Sequence, residues 1–204
     1  MRLSKKLLSF VFLAALLMWK ASNLHAQTDY VITNDGVKIM GEVKTHNVDK
    51  VKFKAVGEEK MKKYKPKEIK EAYKAGHGVF RSVYLPKNQS QSFLQVLEDG
   101  KIKLYEYYKS SGTMYGMTPM AGGGYTPMGM YNNTKKAWYA QKDSSEVVEV
   151  KSNQIWGSRQ GRKDNFLRLI QDNQHIADRY NAEDKFNFDF VRSLIVEYNG
   201  LVKN

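Results

Sequence analysis

The chain has 204 residues, a formal net charge of +12 at pH 7, 42% hydrophobic residues and no cysteine. The missing thiol excludes disulfides, thiol catalysis, cysteine-based zinc sites and the lipidated cysteine of a bacterial lipoprotein. A hydrophobic core must supply the stability alone, and the length suffices for one large domain or two small ones.

Arg2, Lys5 and Lys6 precede the apolar run 7–19, and Leu24-His25-Ala26 ends the segment on a small residue. That order reads as a secretory signal peptide over residues 1–26, with cleavage after Ala26. Lys20 keeps the run shorter than the ~20 residues of a spanning helix. No later stretch is apolar enough, so no transmembrane span is expected in the mature chain. The expected location is periplasmic or secreted, peripheral to the outer membrane at most. Arg2, Lys5, Lys6 and Lys20 leave with the leader, so roughly +8 remains, a charge suited to anionic envelope polymers. Nucleic acid is not an expected partner outside the cytosol.

Residues 27–77 form the first unit. Val37, Ile39, Gly41 and Val43 alternate with Lys38, Met40, Glu42 and Lys44, and Val51, Phe53 and Ala55 alternate with Lys50, Lys52 and Lys54. A period of two predicts strands with one buried and one wet face. Asp35-Gly36 and Gly57 mark tight turns. Residues 66–69 read as a short helical turn and 70–73 as a last strand, which together suggest a small SH3-like or Sm-like barrel. Lys50, Lys52 and Lys54 fall on one face as a basic stripe able to meet phosphates or sugar acids. The stripe lacks the interleaved aromatics of a single-strand nucleic-acid platform, and a solvated strand face is the plainer account.

Residues 78–155 form a second hairpin region. Runs 93–97 and 102–108 flank Asp99-Gly100, and runs 137–141 and 147–150 flank Asp143-Ser144. Between them, residues 109–134 are rich in Met, Gly and Tyr and read as a long loop, a kind of segment that is usually functional or disordered. It holds Met114, Met117, Met120, Met128 and Met130, with Tyr115, Tyr125 and Tyr131 interleaved. Thr118-Pro119-Met120 and Thr126-Pro127-Met128 nearly repeat each other. Methionine and tyrosine together make an adaptable contact surface. The alternative is a Cu(I) site built from the thioethers of Met114, Met117 and Met120, although no histidine lies in the segment to strengthen it.

Residues 156–204 change to a helical period. Phe166, Leu167 and Ile170 fit one helix, and Ile176 and Tyr180 a second. Phe190, Val191, Leu194, Ile195 and Tyr198 form an amphipathic stripe on a third, capped by Asn187 or Asp189 and ended by Asn199-Gly200. The expected class is therefore α+β, an antiparallel β-rich body with C-terminal helices.

Little in the chain argues for catalysis. His46, His77 and His175 have no metal-ligand spacing, and there is neither a nucleophile elbow nor a phosphate loop. A non-catalytic binding or structural module is expected, with no cofactor. The chain resembles exported proteins of unknown function from Bacteroidota. The resemblance rests on Ala26-Gln27, residues 29–33 with Gly36 and Gly41, residues 63–69, residues 100–105, and Tyr198-Asn199. It implies a shared fold and lineage and carries no activity. The leader and the charge, not the resemblance, make an envelope protein or an anionic envelope polymer the expected partner.

Overall fold

The structure, a computed structural model, describes residues 28–120, 124–154, 157–183 and 185–202. The expected signal peptide, residues 1–26, lies outside the described residues. Ten strands form one antiparallel sheet: β1 (Asp29–Thr33), β2 (Lys38–Asn47), β3 (Lys50–Ala55), β4 (Lys62–Tyr64), β5 (Ile69–Lys74), β6 (Gly78–Leu85), β7 (Ser90–Asp99), β8 (Ile102–Met120), β9 (Gly124–Lys142) and β10 (Val148–Ser152). Their order is β10-β9-β8-β7-β6-β5-β1-β2-β3-β4. Among the described residues three helices follow: α1 (Arg159–Ile170), α2 (Gln174–Ala182) and α3 (Phe188–Val202). This is the expected α+β class. None of the described helices is long and apolar enough to cross a membrane.

The alternation read from the sequence forms the strands as expected. Val51 and Phe53 are buried while Lys52 between them is exposed. Gly36 takes φ +88° and Gly57 φ +83° in the turns that need them. Three expectations require correction. The small barrel does not close: β7 goes on to pair with β8, so the first unit opens into the larger sheet. A single bond, Phe93 N–H to Val48 O at 2.9 Å, ties the β2–β3 turn to β7. Residues 66–68 make a hydrogen-bonded turn rather than a helical one, with Glu68 N–H donating to Lys65 O at 3.0 Å. Asn199-Gly200 does not end the last helix, which continues to Val202.

The residues paired across the sheet explain where the cores sit. One row runs Ile39, Val31, Ala72, Phe80, Gln95, Glu106, Trp138 through successive register partners. Its first four members belong to or pack against a cluster with Val43, Val51, Phe53, Tyr64, Ile69 and Phe93. Its last member, Trp138, belongs to the helical cluster, where Ile102, Leu104, Ala140 and Val150 meet the inner faces of α1, α2 and α3. Gln95 and Glu106 are thus a polar interruption between two apolar cores on one face.

The alternate residues Tyr105, Tyr107, Ala137 and Tyr139 enter a third cluster with Val83, Leu85 and Leu94. On β6, Arg81 bridges Glu71 at 2.9 Å and Asp99 at 3.0 Å, fastening β5, β6 and β7 together. Its hydrogen bonds hold the Asp99 carboxyl below the usual carboxylate range.

Candidate interaction site

The polar interruption opens into a crevice of about 670 Å³, within the size range of small-molecule sites. Its walls come from the end of β2 and the following turn (His46, Asp49), from β6 and β7 (Phe80, Phe93, Gln95) and from β8 (Glu106, Tyr108, Lys109). The crevice exists because β7 and β8 part company. Their last pair is Gln95↔Glu106, beyond which the β2–β3 turn bonds to β7 instead.

Four of the polar wall residues are held in place by bonds of their own. Gln95 Nε2 donates to His77 O at 2.8 Å. Glu106 accepts from Trp138 Nε1 at 2.8 Å and pairs with Lys136 at 2.8 Å. Lys109 pairs with Asp49 at 3.1 Å across the mouth. An aromatic and imidazole floor beside a fixed carboxylate can hold a flat, hydroxyl-bearing or cationic group.

No spacing in the chain points to the meeting of His46 and His77. Their rings lie edge to face at 5.4 Å, and His46 packs on Phe80 at 3.9 Å. Burial, helped by Lys74 and His77, pushes the His46 pKa below its ordinary 6.5. The unfolded chain therefore binds this proton more readily than the folded one. The stability held by neutral His46 is present in full above pH 6.5 and is lost as pH falls toward the folded value. The thermal midpoint is expected to drop on acidification below that point, and to drop less in His46→Gln. Parallel midpoint-against-pH curves for the two proteins would remove His46 from this role. Among the described residues no group of three or more His, Asp or Glu side chains could hold a metal ion.

The segment expected to be a loop is the second feature, and the expectation is corrected. Residues 109–120 continue β8 and residues 124–134 belong to β9, paired from Lys109↔Lys135 to Met120↔Gly124. Glycine and proline at this density signal a break in most chains. Here Pro119 and Pro127 stand in ladder pairs that leave the hairpin intact, Pro119↔Tyr125 and Met117↔Pro127. Met114, Tyr115, Met117 and Met120 lie on β8, and Tyr125, Met128, Met130 and Tyr131 on β9.

Neighbouring strands stop short of this hairpin. β7 pairs no further than Glu106 and β10 no further than Ala137, so among the described residues no third strand pairs with the outer ladder. Asn153 covers the root of β9, accepting from Lys136 N–H at 2.9 Å and donating to Thr134 O at 2.9 Å. From Tyr108 to Met120 the two-stranded arm runs about 40 Å at ~3.4 Å per residue. Residues 110–134 contain no Asp, Glu, Lys or Arg, in a chain that is 26% charged.

The basic stripe is less distinctive. Lys50, Lys52 and Lys54 do lie on the wetter face of β3. Lys54 stands opposite Glu42, whereas Lys52 stands opposite Lys63, so part of the positive field is compensated and part is not. Comparison with protein-family models, with curated proteins and with solved structures finds no match.

Proposed function

We propose that the protein is a non-catalytic binding module of the cell envelope, exported to the periplasm or beyond, whose contact element is the β8–β9 arm. The observation that carries this reading is a long hairpin, free of neighbouring strands and free of charge, on a body that is otherwise charged. Two-stranded ribbons are marginal in water on their own. Exposed strand edges are ordinarily protected by lysines, short length or covering loops. An arm without charged residues is built to be covered by something else. The leader and the uncompensated lysines of β3 support a setting among anionic envelope polymers.

Replacing residues 110–134 by Asn-Gly tests the reading, because Lys109 and Lys135 already face each other and a two-residue turn can join them. The described core residues of all three clusters lie outside the deleted segment, so the melting temperature should change little. Fractionation of cells expressing each form should find the full chain with the envelope and the shortened chain in the soluble fraction. Equal envelope association of both would show that the arm is not the contact element.

A further inference from the structure

We infer that the arm's partner is a second copy of the same chain, joined edge to edge through β8; this rests on the reading of the arm as the contact element. The argument begins with the prolines. In an antiparallel ladder, successive pairs alternate between those that exchange inter-strand bonds and those whose backbone groups turn outward. Met117↔Pro127 and Pro119↔Tyr125 are two pairs apart and so belong to one alternate set. Proline has no N–H to give, so the outward set is the one that accepts it without loss.

On β8 a bulge lies between Ser110 and Thr113; beyond it the same set holds Thr113, Tyr115 and Met117, because the extra residue at the next register step falls on β9 and leaves the alternation along β8 unbroken. Their backbone groups therefore form an open edge, closed toward the tip by Pro119. The opposite edge, on β9, is interrupted twice. Pro127 lies on it, and the register steps from Tyr115↔Met130 to Gly116↔Met128, which leaves Gly129 as a bulge. Asn153 covers its root. Between its own bulge at the root and Pro119 near the tip, β8 keeps the stretch 113–117 unbroken, and that stretch is the edge of the arm fit to receive another strand.

A second copy suits that edge better than an unrelated strand for three reasons. An antiparallel pairing centred on Tyr115 sets Thr113 of one copy opposite Met117 of the other. With no charge in residues 110–134, no like charges meet along it. It also places the two positive bodies at opposite ends of the ribbon, with their Lys109 residues roughly 40 Å apart. That distance is several times the ~8 Å screening length of physiological salt. Finally, two marginal hairpins become one four-stranded sheet. The interrupted β9 edges lie outermost, so association stops at a twofold dimer and does not run on into a fibre.

The test is the mass in solution, by light scattering on the exported chain purified from expressing cells. The full chain should have twice the monomer mass and the arm-shortened chain the monomer mass. Tyr115→Pro removes an outward N–H at the centre of the pairing and leaves the β8–β9 ladder intact, so it should give a monomer with an unchanged circular dichroism spectrum. Charge placement then tests the register. Thr113→Lys with Met117→Lys sets lysine against lysine and should give a monomer, whereas Thr113→Lys with Met117→Glu sets lysine against glutamate and should restore the dimer. A full chain that stays monomeric overturns the proposal, as does a dimer that survives Tyr115→Pro or the double-lysine change. If the monomeric full chain still needs its arm to reach the envelope fraction, only the self-pairing fails, and the arm serves a membrane or another protein. If the shortened chain reaches the envelope equally well, the reading of the arm fails too.

Discussion

Phe53→Ala is expected to lower the unfolding free energy by about 3–5 kcal/mol, the upper part of the range for large-to-small core changes. Phe53 is 1% exposed and sits among Val31, Val43, Val51, Tyr64 and Ile69. The magnitude follows from how little the site can collapse. Gly41 stands across from the ring, and a Cβ there would come within 2.5 Å of Phe53 Cζ and 2.2 Å of Lys54 O. The ring end thus occupies the space that a side chain on Gly41 would fill. Removing it leaves a hole bounded by hydrogen-bonded backbone on β2 and β3, which cannot close without breaking the ladder. Chemical denaturation of the variant measures the loss directly. An unchanged midpoint would mean that β3 does not hold the register found here.

Strand and helix periods were the legible part of this fold. The lysine alternation gave β2 and β3 with their faces the right way round, and the stripe from Phe190 to Tyr198 gave the buried side of α3. Asn187 caps that helix as expected, accepting from Phe190 N–H at 2.8 Å. What the period could not show is burial on both faces. On β8, Leu104 enters the helical cluster and Tyr105 the opposite one, so neither set reads as solvent-facing. The crevice was illegible for a different reason. His46, Phe80 and Glu106 come from β2, β6 and β8, and His77 from the β5–β6 turn beside them, and no local spacing encodes the meeting of these elements. In the arm, the density of Met, Gly and Tyr stands out in the sequence, but its glycines and prolines point to a loop where the backbone runs as two paired strands. Glycine and proline predict breaks, yet here the ladder runs on past both Pro119 and Pro127.

Asn199→Ala is expected to cost about 2–4 kcal/mol, as two backbone groups lose their partner together. The Asn199 side chain accepts from Ile102 N–H at 2.8 Å and donates to Ile102 O at 2.8 Å, a two-point contact that treats the start of β8 as a strand edge. The β7–β8 turn admits it only because residue 100 is glycine: a Cβ there would meet Asn199 Cγ at 2.4 Å. Next to it Tyr198, 1% exposed, donates to Asp172 at 2.8 Å, and Lys142 at the end of β9 pairs with the same carboxylate at 2.6 Å. Helix α3 is therefore fastened to β8 directly, and to β9 through the residue that joins α1 to α2. This explains why a polar asparagine lies within the helix without ending it. Gly100→Ala should destabilise by blocking the same contact from the other side. The two changes combined should cost much less than their sum, because either one already removes the bond to Ile102. Fully additive losses in a double-mutant cycle would show that Asn199 and Gly100 act separately.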